Sequence, residues 1–322
     1  MTRSIPFSPD LSRRGVLASG LALALAGCGG GGPKDRGVLR VGSQKGGTKA
    51  MVLASRALDG ADYRVEWSEF PAAQNLLEAL GSGAVDVGMV GDGPFAFAYQ
   101  SGQPIVAVAA RRVQNRPEGA LAIVVPGASP LRKVQDLKGR ALATTRGSIG
   151  HYLALRALSA AGLAPDAVRF VFLGPSDAAA ALRSGSVAAW ATWAPYTILA
   201  LAGGARVLVD GRDLMVATGY DAANQRAVSE KRALLVDFLK REATALQWAH
   251  GHPGDYAQML ARETGMPLAI TKEVAAKNAF LPVPLDAGVE QDLQQVFDTY
   301  AAGGALVTRR PLADAFVPLD KS

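Results

Sequence analysis

Val85-Asp86-Val87-Gly88-Met89-Val90-Gly91-Asp92-Gly93-Pro94 reads as a buried strand, a glycine turn and the first positions of a helix. Val85 to Val90 reads as a strand. Proline near the first helical position is tolerated because its missing N–H would have no partner there. Upstream, the same unit recurs. Val38 to Gly42 is a short apolar strand, and Gly46 and Gly47 open a helix through Ala57. Tyr63 to Phe70 alternates as a strand, and Ala73 to Leu80 is a helix ended by Gly81-Ser82-Gly83. This βαβαβ order implies a parallel sheet covered by helices.

Downstream, Ile105–Val113 is a longer apolar strand, Gln114–Gly119 a polar break, and Ala120–Val125 a strand again. A crossover between lobes is expected at the break. A second α/β set follows. Its strands are Ala141–Thr145, Val168–Leu173, Ala188–Thr192 and Ala205–Val209, with helices from Ser148, at Ser176–Arg183 and from Pro195. Gly219 to Ala227 reads as a return strand. The remainder is helical: Lys231–Ala249, Gly254–Glu263, Thr271–Ala279 and Ala287–Ala302. The expectation is two α/β lobes joined by two crossing segments, residues 38–115 with 225–322 in one and 116–224 in the other. A cleft between such lobes is a preferred ligand site.

The amino terminus reads differently. Arg13-Arg14, an apolar run from Gly15 to Gly27, and Cys28 after Leu25-Ala26-Gly27 form an export signal over residues 1–27. The run is shorter than the roughly 20 residues that span a bilayer. Cys28 resembles a lipobox cysteine, acylated after cleavage, which ties the protein to a membrane by lipid. Ser12 to Leu17 resembles a twin-arginine signal; an ordinary secretory signal is the other reading. Residues 28–37 are the lipidated cysteine and a flexible glycine-rich tether. Cys28 is the only cysteine in the chain, so the mature protein would hold no free thiol.

The 322-residue chain is 49% hydrophobic with a net charge of +6. Arg3, Arg13, Arg14 and Asp10 leave with the signal, so the rest stands near +4. Its cations are dispersed with no aromatic-interleaved basic stripe, which argues against nucleic acid. No G-x-G-x-x-G follows a strand and no phosphate-loop pattern occurs, so a nucleotide cofactor has no support. No metal-ligand spacing and no G-x-S-x-G elbow are present, so neither metal nor catalytic residues are expected.

Four strand-to-helix turns could hold a ligand: Ser43–Thr48, Val90–Pro94, Arg146–His151 and Thr192–Tyr196. Free N–H groups at a helix start, with the helix dipole, favour an anion. Ser148 is suited either to cap its helix or to donate to a ligand oxygen. His151 reads equally as an oxyanion donor and as a core histidine. His250 and His252 read as a solvated helix end. Trp193 sits at a strand end as an aromatic wall for an organic group.

At this point a resemblance enters. Leu39-Arg40-Val41-Gly42-Ser43-Gln44-Lys45-Gly46-Gly47-Thr48, Phe70-Pro71-Ala72, Val85–Pro94, Asp136–Arg140, Gly147–Leu153 and Trp193-Ala194-Pro195-Tyr196 resemble aliphatic sulfonate-binding proteins of ABC importers. The resemblance spans nearly the whole chain after the tether and extends to the wider sulfonate, nitrate and taurine group. It implies a type II periplasmic-binding-protein fold with a hinge and an interlobe cleft. It also implies a monomer in the periplasm, or on the outer face of a bacterial membrane, delivering a small anionic ligand to an ABC permease. Carried over by position, Gln44, Gly46, Gly47, Gly91, Asp92, Gly93, Ser148, His151 and Trp193 would line the cleft, with the organic tail on Phe95 or Trp193. Ala194 stands where family members often carry an acidic residue, which weakens the case for an amine-bearing ligand such as taurine. Nitrate, taurine, an aromatic sulfonate or a vitamin precursor are alternatives. A desulfinase-like enzyme on the same fold would need a cysteine in the cleft, and Cys28 belongs to the signal.

Overall fold

The computed structural model describes residues 37–113, 117–277 and 279–319. Cys28, the export signal and the tether before residue 37 lie outside them.

The chain opens with β1 (Val38–Gln44), α1 (Thr48–Ser55), β2 (Arg64–Phe70), α2 (Ala73–Ser82), β3 (Val87–Gly91), α3 (Asp92–Gln100) and β4 (Ile105–Val113). It then builds β5 (Leu121–Pro126), β6 (Ala141–Thr144), α4 (Ile149–Ala160), β7 (Arg169–Phe172), α5 (Pro175–Ser184), β8 (Ala189–Trp193), α6 (Tyr196–Ala202) and β9 (Ala205–Asp210). The return comprises β10 (Thr218–Asn224), α7 (Gln225–Glu230), α8 (Arg232–Gly251), α9 (Pro253–Thr264), α10 (Leu268–Lys277), β11 (Phe280–Val283) and α11 (Ala287–Ala302).

Two sheets result, one of six strands in the order β11-β4-β10-β3-β1-β2 and one of five in the order β7-β6-β8-β5-β9. β1 is parallel to β2 and β3, and β6 is parallel to β7 and β8, as the alternation requires. Neither sheet is wholly parallel. β10 runs antiparallel between β3 and β4, and β5 runs antiparallel to β8 and β9.

The position of β10 corrects one lobe boundary. The segment 218–224, counted above with the second lobe, is hydrogen-bonded inside the six-stranded sheet of the first. All seven residues of β10 are buried, as expected of a central strand covered on both faces. β11 was not expected at all. It is an edge strand against β4, where Pro282 is tolerated because one side needs no ladder donor.

Close approach of helix to strand rests on glycine at one telling place. A Cβ at Gly150, in the first turn of α4, would lie 2.4 Å from the Ala191 carbonyl oxygen on β8. The absence of a side chain therefore lets α4 start directly over the strand end. The same region is tied to the carboxy-terminal helix: the Tyr300 hydroxyl on α11 donates to the Ser148 carbonyl at 2.8 Å. Phe97 of α3 meets the Tyr300 ring edge-on at 4.7 Å. α11 thus packs on a helix of each lobe. No described helix is long and apolar enough to cross a membrane.

Candidate functional site

A cavity of about 220 Å³ is lined by residues of both sheets' lobes. Its first-lobe floor is the β1–α1 loop. The Gln44 side-chain amide donates to the Met89 carbonyl at 3.1 Å, which fixes the loop against β3. The Gly47 N–H closes back on the Gln44 carbonyl at 2.8 Å, and Gly46 sits at φ 77°, where glycine is favoured. Ser43 Oγ accepts from the Lys49 amide at 3.1 Å and so caps α1 from outside the helix. Gln44, Gly46 and Gly47 all line the cavity.

From the second lobe come Ser148 and Ile149 at the start of α4. Ser148 is the N-cap: its Oγ accepts from the His151 amide at 3.2 Å, so the hydroxyl is committed to the helix. The amides of Ile149 and Gly150 have no intrahelical acceptor, as at any helix start. Trp193 ends β8 and meets Tyr196 edge-on at 5.8 Å, and both line the cavity. Ala194 and the cis-linked Pro195 complete that wall.

The lobes touch across the mouth. The Gln74 side chain donates to the Arg146 carbonyl at 3.2 Å, and the Tyr196 hydroxyl to the Pro71 carbonyl at 3.4 Å. Lys277 Nζ donates to the Glu118 carbonyl. Lys277 and Lys45 also line the cavity.

Arg111 on β4 was missed. It lines the cavity yet is buried, and its Nη2 binds both Asp221 of β10 and, at 2.7 Å, Glu242 of α8. Its Nε has no acceptor in the protein. Burial, partly offset by Arg111, pushes the Glu242 carboxyl up to about 7. One cation therefore serves two buried carboxylates, and burial drives Glu242 toward the neutral form. The signal for Arg111 was an arginine closing an apolar strand, with an aspartate in an otherwise uncharged return strand.

Four expected residues stand elsewhere. Asp92 is 2% exposed and outside the cavity wall. Its carboxylate accepts from the Gly93 amide at 2.6 Å and the Thr218 amide at 3.3 Å. It thereby occupies the anion position at its own helix start, and only Gly91 and Pro94 of that turn reach the cavity. Burial raises the Asp92 carboxyl to about 7. Gly93 lies behind the wall; a Cβ there would be 2.6 Å from the Tyr300 hydroxyl. His151 faces a separate side cavity with Phe170 and Phe172, its ring centroid 5.1 Å from each. Its Nδ1 accepts from the Gly147 amide, and burial, with Arg146 nearby, lowers its pKa to about 4. It is a neutral core histidine. Phe95 is fully buried against Tyr99 and Tyr220. His250, read as solvated, is exposed but lines the cavity, whereas His252 stacks on Trp248.

The remaining wall is apolar. It includes Met51, Val113, Leu121, Leu246, Val274 and Phe280. Among the described residues that line the cavity there is no Asp or Glu. Among the described residues no His, Cys, Asp and Glu group could hold a metal ion. The arrangement offers backbone, guanidinium and ammonium donors beside a largely apolar wall. This suits a small anion with an organic group.

The family described as NMT1/THI5 like matches residues 64–256. A protein of Escherichia coli K12, described as binding aliphatic sulfonates, is 36% identical over 236 residues, 72% of this chain and 73% of that one. The alkanesulfonate-binding protein SsuA from Xanthomonas axonopodis pv. citri, solved bound to MOPS, superposes with a TM-score of 0.79 at 31% identity. That superposition covers 88% of this chain and 99% of the other. The periplasmic aliphatic sulphonate binding protein SsuA from Escherichia coli gives 0.76 at 32% identity, covering 86% and 91%.

Proposed function

The chain belongs to the NMT1/THI5-like family, and from that premise we propose that it is an extracytoplasmic solute-binding protein. It captures an organic sulfonate for an ABC import permease and performs no chemistry on it. The observation that carries this reading is the composition of the cleft: amide and guanidinium donors, an apolar wall, and no carboxylate among its described residues. Sulfonate oxygens meet the Gly46–Gly47 loop, the first amides of α4 and Arg111. The organic group lies on Trp193 and its neighbours. The binding functions of its relatives support capture rather than catalysis.

Ligand touching both lobes favours their closed arrangement by its differential contacts. The second lobe, residues 117 to about 217 in this reading, moves as a body about the two crossing segments. Cys28 carries the lipid anchor, and the glycine-rich tether leaves the domain free to turn toward its permease. Replacing Cys28→Ser releases the protein from the membrane fraction in this reading; retention of the variant there overturns the anchor.

Titration calorimetry against butanesulfonate, taurine, nitrate and sulfate tests the ligand class. Binding is expected for butanesulfonate. Heat with nitrate or sulfate and none with any sulfonate overturns the assignment.

A further inference from the structure

α11 changes lobes along its length. Its earlier turns are held by the first lobe. Asp292 pairs with Arg112 of β4, the Val289 carbonyl accepts from the Tyr220 hydroxyl of β10 at 3.5 Å, and Phe297 stacks on Tyr99 of α3. Its last turn reaches the second lobe. The Tyr300 hydroxyl donates to the Ser148 carbonyl at 2.8 Å, and a Cβ at Gly303, just past the helix, would lie 3.0 Å from the Leu155 side chain of α4. The Ser148 carbonyl already has a helical donor, the Tyr152 amide at 3.0 Å. It needs no second bond to be satisfied. The bond from Tyr300 therefore fixes the start of α4 rather than rescuing a buried acceptor.

The same hydroxyl bounds α3. A Cβ at Gly93 would be 2.6 Å from it and 3.3 Å from the Ser148 carbonyl carbon. The first turns of α3 and α4 thus converge, with no room for a methyl, on one buried oxygen. Gly91 and Pro94 of the one turn and Ser148 and Ile149 of the other line the cleft. The contacts across the mouth, Gln74 to Arg146 and Tyr196 to Pro71, are instead single exposed hydrogen bonds. A close-packed buried contact resists sliding, whereas exposed hydrogen bonds open readily. Resting on the sulfonate reading, we propose that Tyr300 is a positioning residue for the anion contacts and the point about which the lobes turn. It is fully buried behind the cavity wall and acts through Ser148. Its hydroxyl sets the aim of the Ile149 and Gly150 amides relative to the first lobe. Without that bond the start of α4 samples other arrangements, and affinity falls with the fraction of time the donating one is populated.

The test is a double-mutant cycle on affinity, read by titration calorimetry of the whole protein with butanesulfonate, well below each variant's melting temperature. Y300F keeps the ring and leaves the Ser148 carbonyl its helical donor, so it folds. Its affinity is expected to fall at least about threefold, the scale of one net hydrogen bond. G93A raises helix propensity but sets a methyl against the hydroxyl, and is expected to weaken binding at least about fivefold, as overpacking does. In G93A/Y300F the obstructing oxygen is gone. Its affinity is expected to equal or exceed that of G93A rather than show the product of the two losses. A merely structural tyrosine would lower the melting temperature and leave the affinity unmoved. A Y300F loss below about threefold, or losses that multiply in the double variant, overturns the positioning role and leaves sulfonate capture standing. If G93A does not fold, the Y300F affinity decides alone. No heat with the unaltered protein overturns both.

Discussion

Replacing Arg111→Met separates what this residue does for the fold from what it does for the ligand. The Arg111, Asp221 and Glu242 side chains are 3%, 5% and 2% exposed, and one nitrogen of Arg111 serves both carboxylates. Removing one partner of a buried ion pair costs about 3–5 kcal/mol, because the other is left uncompensated. Here two carboxylates are left, so the loss belongs at the upper end, a large share of a total stability of about 5–15 kcal/mol. The triple variant R111M/D221N/E242Q removes the stranded charges along with the cation. Its stability is expected to recover to within about 2 kcal/mol of the parent, the scale of one or two imperfect neutral hydrogen bonds. Its affinity for butanesulfonate is not. A hydrogen bond to a charged group contributes about 1.5–3 kcal/mol, so binding weakens about 10- to 100-fold. Urea unfolding and calorimetry at pH 7 read the two effects separately. A single variant within about 1 kcal/mol of the parent refutes the buried trio as a structural unit, being below any plausible cost of unpaired burial. A triple variant binding within about threefold refutes Arg111 as the anion contact, since that ratio is under the weakest charge-assisted bond.

Three further outcomes are expected. Sulfonate affinity falls as pH rises and Glu242, whose carboxyl burial holds above the ordinary range, ionises behind Arg111; E242Q flattens the profile, and an unchanged profile in that variant overturns the linkage. Asp92 has a folded pKa of about 7 against an ordinary 3.8. The folded state holds that proton more tightly, so this group's stabilisation is full below about pH 4 and lost as pH rises through 7. His151 acts in the opposite sense: its pKa drops from 6.5 to about 4, so its contribution is full above 6.5 and lost as pH falls through 4. Urea midpoints of D92N are expected to lose the decline that Asp92 gives the parent between about pH 4 and pH 7, and a decline identical to the parent's counts against the assignment. Gly150→Ala places a methyl 2.4 Å from the Ala191 carbonyl oxygen and should lower stability by about 1–3 kcal/mol, as overpacking does. An unchanged melting temperature would mean α4 shifts freely.

Much of the architecture is visible in the residues alone. The Ile105–Val113 run is apolar through Ala110 and is flanked by Pro104 and a polar break, so β4 is found at its true limits. The alternation of strands with glycine-opened helices yields the two lobes. β10 is harder. Thr-Gly-Tyr-Asp-Ala-Ala-Asn is readable as extended, but nothing local says that its neighbours are β3 and β4. Its Asp221 is buried only because Arg111 lies on the adjoining strand. Arg111 fails for the same reason: its role is set by partners on β10 and α8, remote in sequence. The turns with glycine were found as ligand candidates, yet those that reach the cleft could not be told from those that do not. At Gly91-Asp92-Gly93 the aspartate supplies its own anion, and at His151 two phenylalanines of β7 enclose the ring.

The insertion of β10 also sets an order of assembly. Gly219 must pair with Gly91, and its strand separates β3 from β4. A chain that has emerged only as far as β4 therefore has a gap in the middle of its first sheet. The lobe synthesised second can close on itself before the lobe synthesised first. Long-range strand pairing of this kind is slow and leaves strand edges open meanwhile. In the export reading, a chain that must cross a membrane thus stays incompletely folded for most of its length. The choice between a pathway that carries finished proteins and one that threads unfinished ones is, for this topology, a choice about where β10 finds its slot.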